Sequence, residues 1–299
     1  MENKSVIFDP STNPIAVALP ASALSHTATG PVRFNMTNDY MFRAVLQENN
    51  KVLRGLVCSL LHLSKEELIS AEITNPIILG DSIDNKEFRL DIYVLLNNRT
   101  VLNLEMQVLD KLNWPDRSLV YLCRSFDQLE HGQDYLETHP VIHISFLDYT
   151  LFKDSPEFYS TYKLINVKNY EIYSDNFTLS VINLSRIDLA TEEDKKYQID
   201  YWAKLFKAAT WEEIHMLASE NSYISEASDT IYRLSAEANI RKRCLDREEY
   251  YRDIRTYQKI IAEKDSFIEK TIAEKDSLIQ ELRHEIEILK TGSVNAPSL

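Results

Sequence analysis

The chain has 299 residues and a formal net charge of −13, with 46 acidic and 33 basic side chains. This balance argues against indiscriminate binding to polyanions, although salt screening still allows a local basic surface. Only five glycines are present, and no Gly-rich phosphate loop occurs, which argues against nucleotide-driven motors and dehydrogenases. Three scattered cysteines without CxxC spacing, and the lack of an apolar stretch of about 20 residues, predict a soluble cytoplasmic protein with reduced thiols and no membrane segment.

In chain order, the hydrophobic periodicity predicts an α/β fold with a mixed sheet flanked by helices. Residues 1–30 are rich in Pro, Ser, Thr and Ala and are predicted to be a flexible leader. Pro76 favours an edge position for the first strand. A strand–helix–strand crossover over 101–147 is expected to be right-handed and to join parallel strands. The predicted elements are helices over 40–46, 51–63 and 116–131, strands over 72–79, 141–147 and 178–184, and a hairpin over 88–108.

The second half of the chain is predicted to be helical. Residues 186–245 form a predicted helical subdomain that packs on the sheet, with helices over 197–209, 211–219 and 225–240. Residues 246–290 contain an eleven-residue repeat and predict a coiled coil through which the chain forms a homo-oligomer. A polar tail, 291–299, follows. The predicted a and d positions of the coiled coil are Ile268, Ile272, Ile279, Leu282, Ile286 and Leu289.

The hairpin carries the pattern with the clearest chemical meaning. Its even-numbered positions are apolar on both sides of a 97–99 turn, which predicts one buried face and one polar face. Asp91 and Glu105 are each seven residues from Asn98, so they face each other on the polar side, with Cβ atoms about 4.5–5.5 Å apart. Opposed carboxylates repel unless a cation lies between them, and Mg²⁺ or Mn²⁺ prefers such oxygen ligands. The Met106 carbonyl could supply another oxygen, and Gln107 could position an attacking water. A hairpin whose outer face is simply solvated is the alternative explanation of the same pattern.

Other candidate residues have two interpretations each. Asp39 stands at the start of the first predicted helix, where it could cap the helix and also lean toward a metal. His131, His139 and His143 show no HExxH or HNH spacing and are predicted to be structural or exposed.

Several sequence blocks resemble one nuclease family over residues 35–240. The blocks TNDYMFRAVL, FRLDIYVLL, NLEMQV and RSLVYLCRSFDQLEHGQDY, followed by PVIHISFLDYTLF, are similar to the recombination-promoting nuclease/putative transposase family, a bacterial branch of the PD-(D/E)XK nucleases. The resemblance implies a restriction-endonuclease-like core, here over 31–185, and Mg²⁺-dependent DNA cleavage with Mn²⁺ as a substitute ion.

The resemblance also implies roles for individual residues. Asp91 and Glu105 match the metal-binding acids, and Asp39 matches a first-helix acid often found beside the metals. Gln107 stands where the wider superfamily usually has Lys; it cannot act as a charged electrophile, which bears on catalytic efficiency rather than on metal binding. Arg117 resembles a family arginine and could contact a DNA phosphate, with an ion pair as the alternative.

Three functions remain open on the sequence. The first is a Mg²⁺-dependent DNA endonuclease that promotes recombination or mobile-element transfer. The second is a catalytically weak or inactive DNA-binding or interaction protein that oligomerises through its coiled coil. The third is a structural protein in which the α/β body is only a scaffold. The opposed acids at 91 and 105 favour the first, because a scaffold does not need them on the polar face of a hairpin.

Overall fold

The computed structural model describes residues 27–75, 91–97, 99–127 and 134–294. Chain contacts divide the protein into two units, Met1–Arg247 and Glu248–Leu299. Most of the predicted leader lies outside the described residues, as do His131 and the end of the predicted tail.

A mixed sheet forms the centre of the first unit, as the sequence predicted, and it has six strands. Its strand order is β1-β2-β3-β4-β6-β5, so β1 and β5 are the edge strands. β3 pairs with β4 and β4 with β6 in parallel, which confirms the parallel pairing expected of the crossover, and the other pairs are antiparallel. The strands are β1 Ala71–Ile73, β2 Ile92–Leu96, β3 Thr100–Gln107, β4 Val141–Leu147, β5 Tyr159–Tyr162 and β6 Phe177–Asn183.

The β5 strand was not predicted, because its four residues are polar or aromatic and none is fully buried, so they lack an alternating apolar pattern. β1 does lie at an edge, as Pro76 suggested. The strand ends at Ile73, and Thr74 and Asn75 form a bend, so the predicted strand over 72–79 was wrong for these two residues. The remainder of that predicted strand, 76–79, lies outside the described residues.

Helices cover the sheet and form the rest of the chain. They are α1 Asp39–Glu48, α2 Asn50–Leu60, α3 Trp114–Phe126, α4 Glu192–Lys196, α5 Ile199–Lys207, α6 Trp211–Glu220, α7 Ser222–Ala236 and α8 Ala238–Val294. Short 3₁₀ turns occur at Tyr135–Glu137 and Leu184–Leu189. α3 begins two residues earlier than predicted, because Pro115 fits the first helical turn, and it ends five residues earlier.

The main hydrophobic core joins the helices to one face of the sheet. Phe42 of α1, Phe146 of β4 and Phe206 of α5 are each at most 1% exposed. Their rings meet in tilted and edge-to-face contacts, with centroids 5.4 Å apart for Phe42 and Phe146 and 5.1 Å apart for Phe146 and Phe206. The helices after β6 therefore contribute directly to the core of the α/β body.

The opposite face of the hairpin is also buried, so the alternative explanation, a simply solvated outer face, was wrong. Asn103, Glu105 and Gln107 are all at most 6% exposed. β3 is an interior strand, and α3 packs on this face of the sheet: the ring of Trp114 lies 5.9 Å from that of His143 on β4, and Arg117 bonds Glu105 of β3. The alternation marks two chemically different faces, but it does not show which of them a later helix covers.

In the second unit, the only described element is the continuation of α8. The apolar side chains at the predicted a and d positions of this segment are about half exposed or more, and Leu289 is 72% exposed. The coiled coil itself stays a prediction. Along the described ranges of the chain, no helix combines the length and the apolar character needed to cross a membrane.

Candidate active site

The hairpin register brings Asp91 and Glu105 together. Ile92 pairs with Leu104 and Leu96 with Thr100, which confirms the predicted 97–99 turn and puts Asp91 opposite Glu105. Both side chains lie on the α3 side of the sheet, and they are 3% and 4% exposed. Two acids in adjacent buried positions are costly, since neither is well solvated and each disfavours ionisation of the other.

The backbone of Asp91 is held by two side chains that the sequence analysis did not identify. Arg43 of α1 is fully buried and donates hydrogen bonds from its guanidinium to the carbonyl oxygens of Asp91 and Asn75. The Asn75 side chain donates to the same Asp91 carbonyl at 2.9 Å and accepts from the backbone N–H of Tyr93 at 2.9 Å. Burial lowers the pKa of Arg43 to about 10, so it remains a cation at neutral pH. These bonds fix the chain at the start of β2.

Glu105 has one strong partner and one oxygen without a hydrogen bond. Its Oε1 accepts from Nη2 of Arg117 at 2.5 Å. Its Oε2 is buried, lies 4.0 Å from His143 Nε2 and accepts no hydrogen bond from any residue in the described part of the chain. Burial, and then the Asp91 carboxylate, raise the pKa of Glu105 to about 8, and these effects outweigh the opposing influence of Arg117. The raised pKa therefore favours a proton on Glu105 at neutral pH.

Two buried polar side chains, Asn103 and His143, lie beside Glu105. His143 is fully buried, and its Nδ1 lies 2.9 Å from the Asn103 side-chain nitrogen. Burial lowers the pKa of His143 to about 3, so the imidazole is neutral. His143 was predicted to be structural or exposed, and it is buried. Its position beside Glu105 was not predicted, because one residue in a strand does not show which carboxylate lies on the neighbouring strand. His139 is exposed, as one of the two predicted alternatives stated.

Gln107 is fixed by hydrogen bonds at the end of β3. Its Nε2 donates to the Leu109 carbonyl at 3.1 Å and to the Tyr149 hydroxyl at 3.0 Å. Its Oε1 is buried and has no hydrogen-bond partner among the described residues. Burial raises the pKa of Tyr149 far above its ordinary value, so the side chain remains a neutral hydroxyl.

Asp39 is not the helix cap, and that interpretation of it was wrong. Asn38 occupies the cap position, and its side chain accepts from the N–H of Met41. Asp39 is the first helical residue, and both its carboxylate oxygens accept hydrogen bonds from Arg247, which approaches from the beginning of α8. The Asn38 side chain also donates to the Cys244 carbonyl at 3.0 Å. Asp39 adds to the negative field at Glu105, but its oxygens already have a cationic partner.

The donor set matches a hard divalent cation in part. Within the described ranges, no three His, Cys, Asp or Glu side chains are arranged to hold a metal ion. Mg²⁺ is often bound by only one or two protein carboxylates, with water and substrate phosphate as further ligands. Asp91 and Glu105 supply two acids, and the oxygens Glu105 Oε2 and Gln107 Oε1 are buried without hydrogen-bond donors. These residues fit a cation that prefers oxygen ligands, with water and substrate phosphate as its remaining ligands.

The residues that the sequence analysis missed had weak signals or none. Arg43 interrupts the apolar run Tyr40–Leu46, and an arginine in such a run indicates a buried partner. Asn103 shares the polar face of the hairpin with Glu105, so it could have been included. Tyr149 follows β4 in a loop, and only the parallel pairing of Gln107 with Leu147 brings it near β3.

Comparison with known proteins identifies one family. A family model described as PD-(D/E)XK nuclease family transposase matches residues 36–260, more than half of the chain. Comparisons with curated proteins and with solved structures find no match. The mixed α/β sheet with its flanking helices is consistent with the restriction-endonuclease-like fold that the sequence predicted. The chain belongs to the PD-(D/E)XK nuclease family transposases.

Proposed function

We propose that the protein is a divalent-metal-dependent endodeoxyribonuclease that hydrolyses phosphodiester bonds. The observation that carries this proposal is the opposed, buried pair Asp91 and Glu105, in which Glu105 has a pKa of about 8. Burying two acids side by side is unfavourable for folding alone, so the pair needs a functional reason. Membership of a nuclease family supplies that reason.

In this proposal, Asp91 and Glu105 hold Mg²⁺, or Mn²⁺ as its substitute. A bound cation would supply an activated water and offset the charge that develops on the phosphate. Arg43 and Asn75 fix the Asp91 backbone, so they limit the movement of one ligand. Asp39 contributes negative charge nearby, and it could serve as a further ligand only if its pair with Arg247 opened.

We propose that Arg117 pairs with Glu105 and also binds a DNA phosphate. Its guanidinium pairs with Glu105, lies 5.1 Å from the Tyr121 ring centroid and keeps a side-chain exposure of 26%. A phosphate that approached the site would meet a cation already oriented by these contacts. The sequence analysis gave an ion pair as one alternative for Arg117 but did not name Glu105 as the partner. We propose phosphate binding as its second role.

DNA is the proposed substrate, with a role in recombination or mobile-element transfer in the cytoplasm. The family description supports the nuclease and transposase parts of this proposal. With a net charge of −13, binding must depend on local cations, so we expect the affinity to fall steeply as salt rises.

Plasmid nicking tests the proposed activity. Purified protein is incubated with supercoiled plasmid and Mg²⁺, Mn²⁺ or EDTA, beside the isosteric variants Asp91→Asn and Glu105→Gln. Matched controls are Asp188→Asn and Glu220→Gln, since these carboxylates lie elsewhere on the protein. We expect nicking by the parent and both controls with either metal, and none by the two site variants or in EDTA. Equal nicking by the site variants and the parent would refute the assignment.

A second candidate function is a catalytically weak or inactive DNA-binding or interaction protein that assembles through α8. The exposed a and d side chains of residues 246–290 favour self-association, because burying them against a second copy removes apolar surface from water. We expect Ile272→Glu combined with Ile279→Glu to lower the mass measured by light scattering. Glu269→Gln combined with Glu274→Gln, outside the a and d positions, serves as the control. An unchanged mass for the isoleucine variant would exclude this stripe as the assembly surface.

A further inference from the structure

The orientation of the Gln107 side-chain amide can be read from its partners. The Leu109 carbonyl can only accept a hydrogen bond, so the group that faces it at 3.1 Å must be the amide nitrogen. The second proton on that nitrogen points to the Tyr149 hydroxyl at 3.0 Å. Both amide protons are therefore used, and the oxygen, bonded to the same carbon as this nitrogen, points in a different direction within the amide plane.

A flipped amide would be unfavourable in this position. The flip would set Oε1 of Gln107 against the Leu109 carbonyl, so two acceptors would face each other. It would also leave buried amide protons without these two partners, at the cost of an unsatisfied buried polar group. Gln107 is only 6% exposed, so water cannot readily compensate. The protein thus holds Gln107 in one orientation, in which the buried Oε1 is an acceptor without a donor from the described residues.

We infer that Tyr149 is a positioning residue that makes Gln107 present an acceptor oxygen, rather than a donor, to the reacting centre. Gln107 Oε1 then orients the attacking water by accepting one of its protons, so that a lone pair of the water oxygen can face the phosphorus atom. This inference rests on the proposed nuclease function. It gives Gln107 a role opposite in hydrogen-bond sense to that of a lysine, which can only donate.

The position of Tyr149 fits such a supporting role. It follows β4, whose end pairs in parallel with the end of β3, so Leu147 lies beside Gln107. The backbone N–H of Asp148 donates to the Gln107 carbonyl at 3.1 Å, which ties the loop that carries Tyr149 to the strand that carries Gln107. The loop after β4 therefore holds Gln107 twice, with Asp148 at its backbone and Tyr149 at its side chain.

A double-mutant cycle on nicking kinetics tests the coupling between the two residues. Tyr149→Phe removes one hydroxyl, and we expect kcat to fall about 2- to 10-fold with KM unchanged, the range expected for one lost hydrogen bond. In a Gln107→Met background the same change should have no further effect. Tyr201→Phe is the control, since the Tyr201 hydroxyl bonds Glu220 instead, and it should nick like the parent. An equal loss from Tyr149→Phe in both backgrounds would overturn the inference.

Replacing Gln107 by lysine separates the acceptor role from the donor role. Lysine carries three donors and no acceptor, and the Leu109 carbonyl and Tyr149 hydroxyl would hold its ammonium group. We expect Gln107→Lys to nick no faster than Gln107→Met. Faster nicking than the parent would show that Gln107 replaces a cationic donor, which contradicts the inferred role.

A measurement without metal or DNA distinguishes failure of this inference from failure of the nuclease proposal. The Gln107 side-chain amide protons can be followed by NMR and assigned from the signals that Gln107→Met removes. We expect both protons to exchange slowly with solvent in the parent and at least one to exchange faster in Tyr149→Phe. If the parent does not nick DNA, the nuclease proposal fails, and this exchange rate still decides how the amide is held. Unchanged exchange in Tyr149→Phe would refute the positioning role whatever the activity.

Discussion

Glu105→Gln should change how the stability of the metal-free protein depends on pH. The pKa of Glu105 is about 8 in the folded chain, against an ordinary value of 4.5. Between these values the folded state keeps a proton that the unfolded state has lost. The free energy of unfolding therefore falls as pH rises through this window. Glutamine has nearly the same shape and still accepts from Arg117, but it does not titrate.

The size of the effect follows from the two pKa values. A carboxyl group with a pKa of about 8 when folded and 4.5 when unfolded loses roughly 1–2 kcal/mol of stabilisation between pH 6.5 and pH 8. His143 has a folded pKa of about 3 and an ordinary value of 6.5, so it acts in the opposite direction, mainly below pH 6.5. Comparing the parent with Glu105→Gln cancels the His143 contribution, because both chains contain it.

Urea unfolding in EDTA measures this difference across the range from pH 6.5 to pH 8. We expect the parent to lose roughly 1–2 kcal/mol relative to Glu105→Gln, whereas Glu66→Gln, at an exposed carboxylate, should follow the parent. A constant difference between parent and Glu105→Gln would refute the raised pKa of Glu105. Adding Mg²⁺ should stabilise the parent more at pH 8 than at pH 6.5, because a cation competes with the proton for Glu105.

Two further substitutions test a helix contact at Gly55 and the ion pair of Asp39 with Arg247. Gly55→Ala should lower the free energy of unfolding by about 1–3 kcal/mol in urea, because the added Cβ would collide with the Tyr223 ring. Adding Tyr223→Ala should make the glycine change nearly neutral, and a harmless Gly55→Ala in the parent would contradict this. Arg247→Ala should cost about 2 kcal/mol, less than the roughly 3–5 kcal/mol of a fully buried pair, since the Arg247 side chain is 24% exposed and Asp39 loses its cation. Arg252→Ala, at an exposed position, is the control, and equal losses for the two arginines would show that the Asp39 pair contributes little.

The sequence by itself determined the hairpin and its register. Alternation over β2 and β3 and a three-residue turn were sufficient to place Asp91 opposite Glu105, because side chains on a strand repeat every two residues. The parallel β3–β4 pairing also followed from local patterns, since a helix between two strands favours a crossover. The family resemblance could also be recognised from the sequence, because its motifs are contiguous blocks within single elements.

Only the tertiary structure decided the environment of the two acids. The burial of the polar face depends on α3 packing on that face of the sheet, where it contacts His143 of β4 and Glu105 of β3, and the raised pKa of Glu105 depends on that burial. The partners Arg43, Tyr149 and Arg247 lie 48, 42 and 208 residues from the residues they hold. Periodicity describes which face of an element is apolar, whereas hydrogen bonds between distant elements depend on how those elements pack. The sequence therefore predicted the two acids, and the packing determined the raised pKa of Glu105 and the partners of both residues.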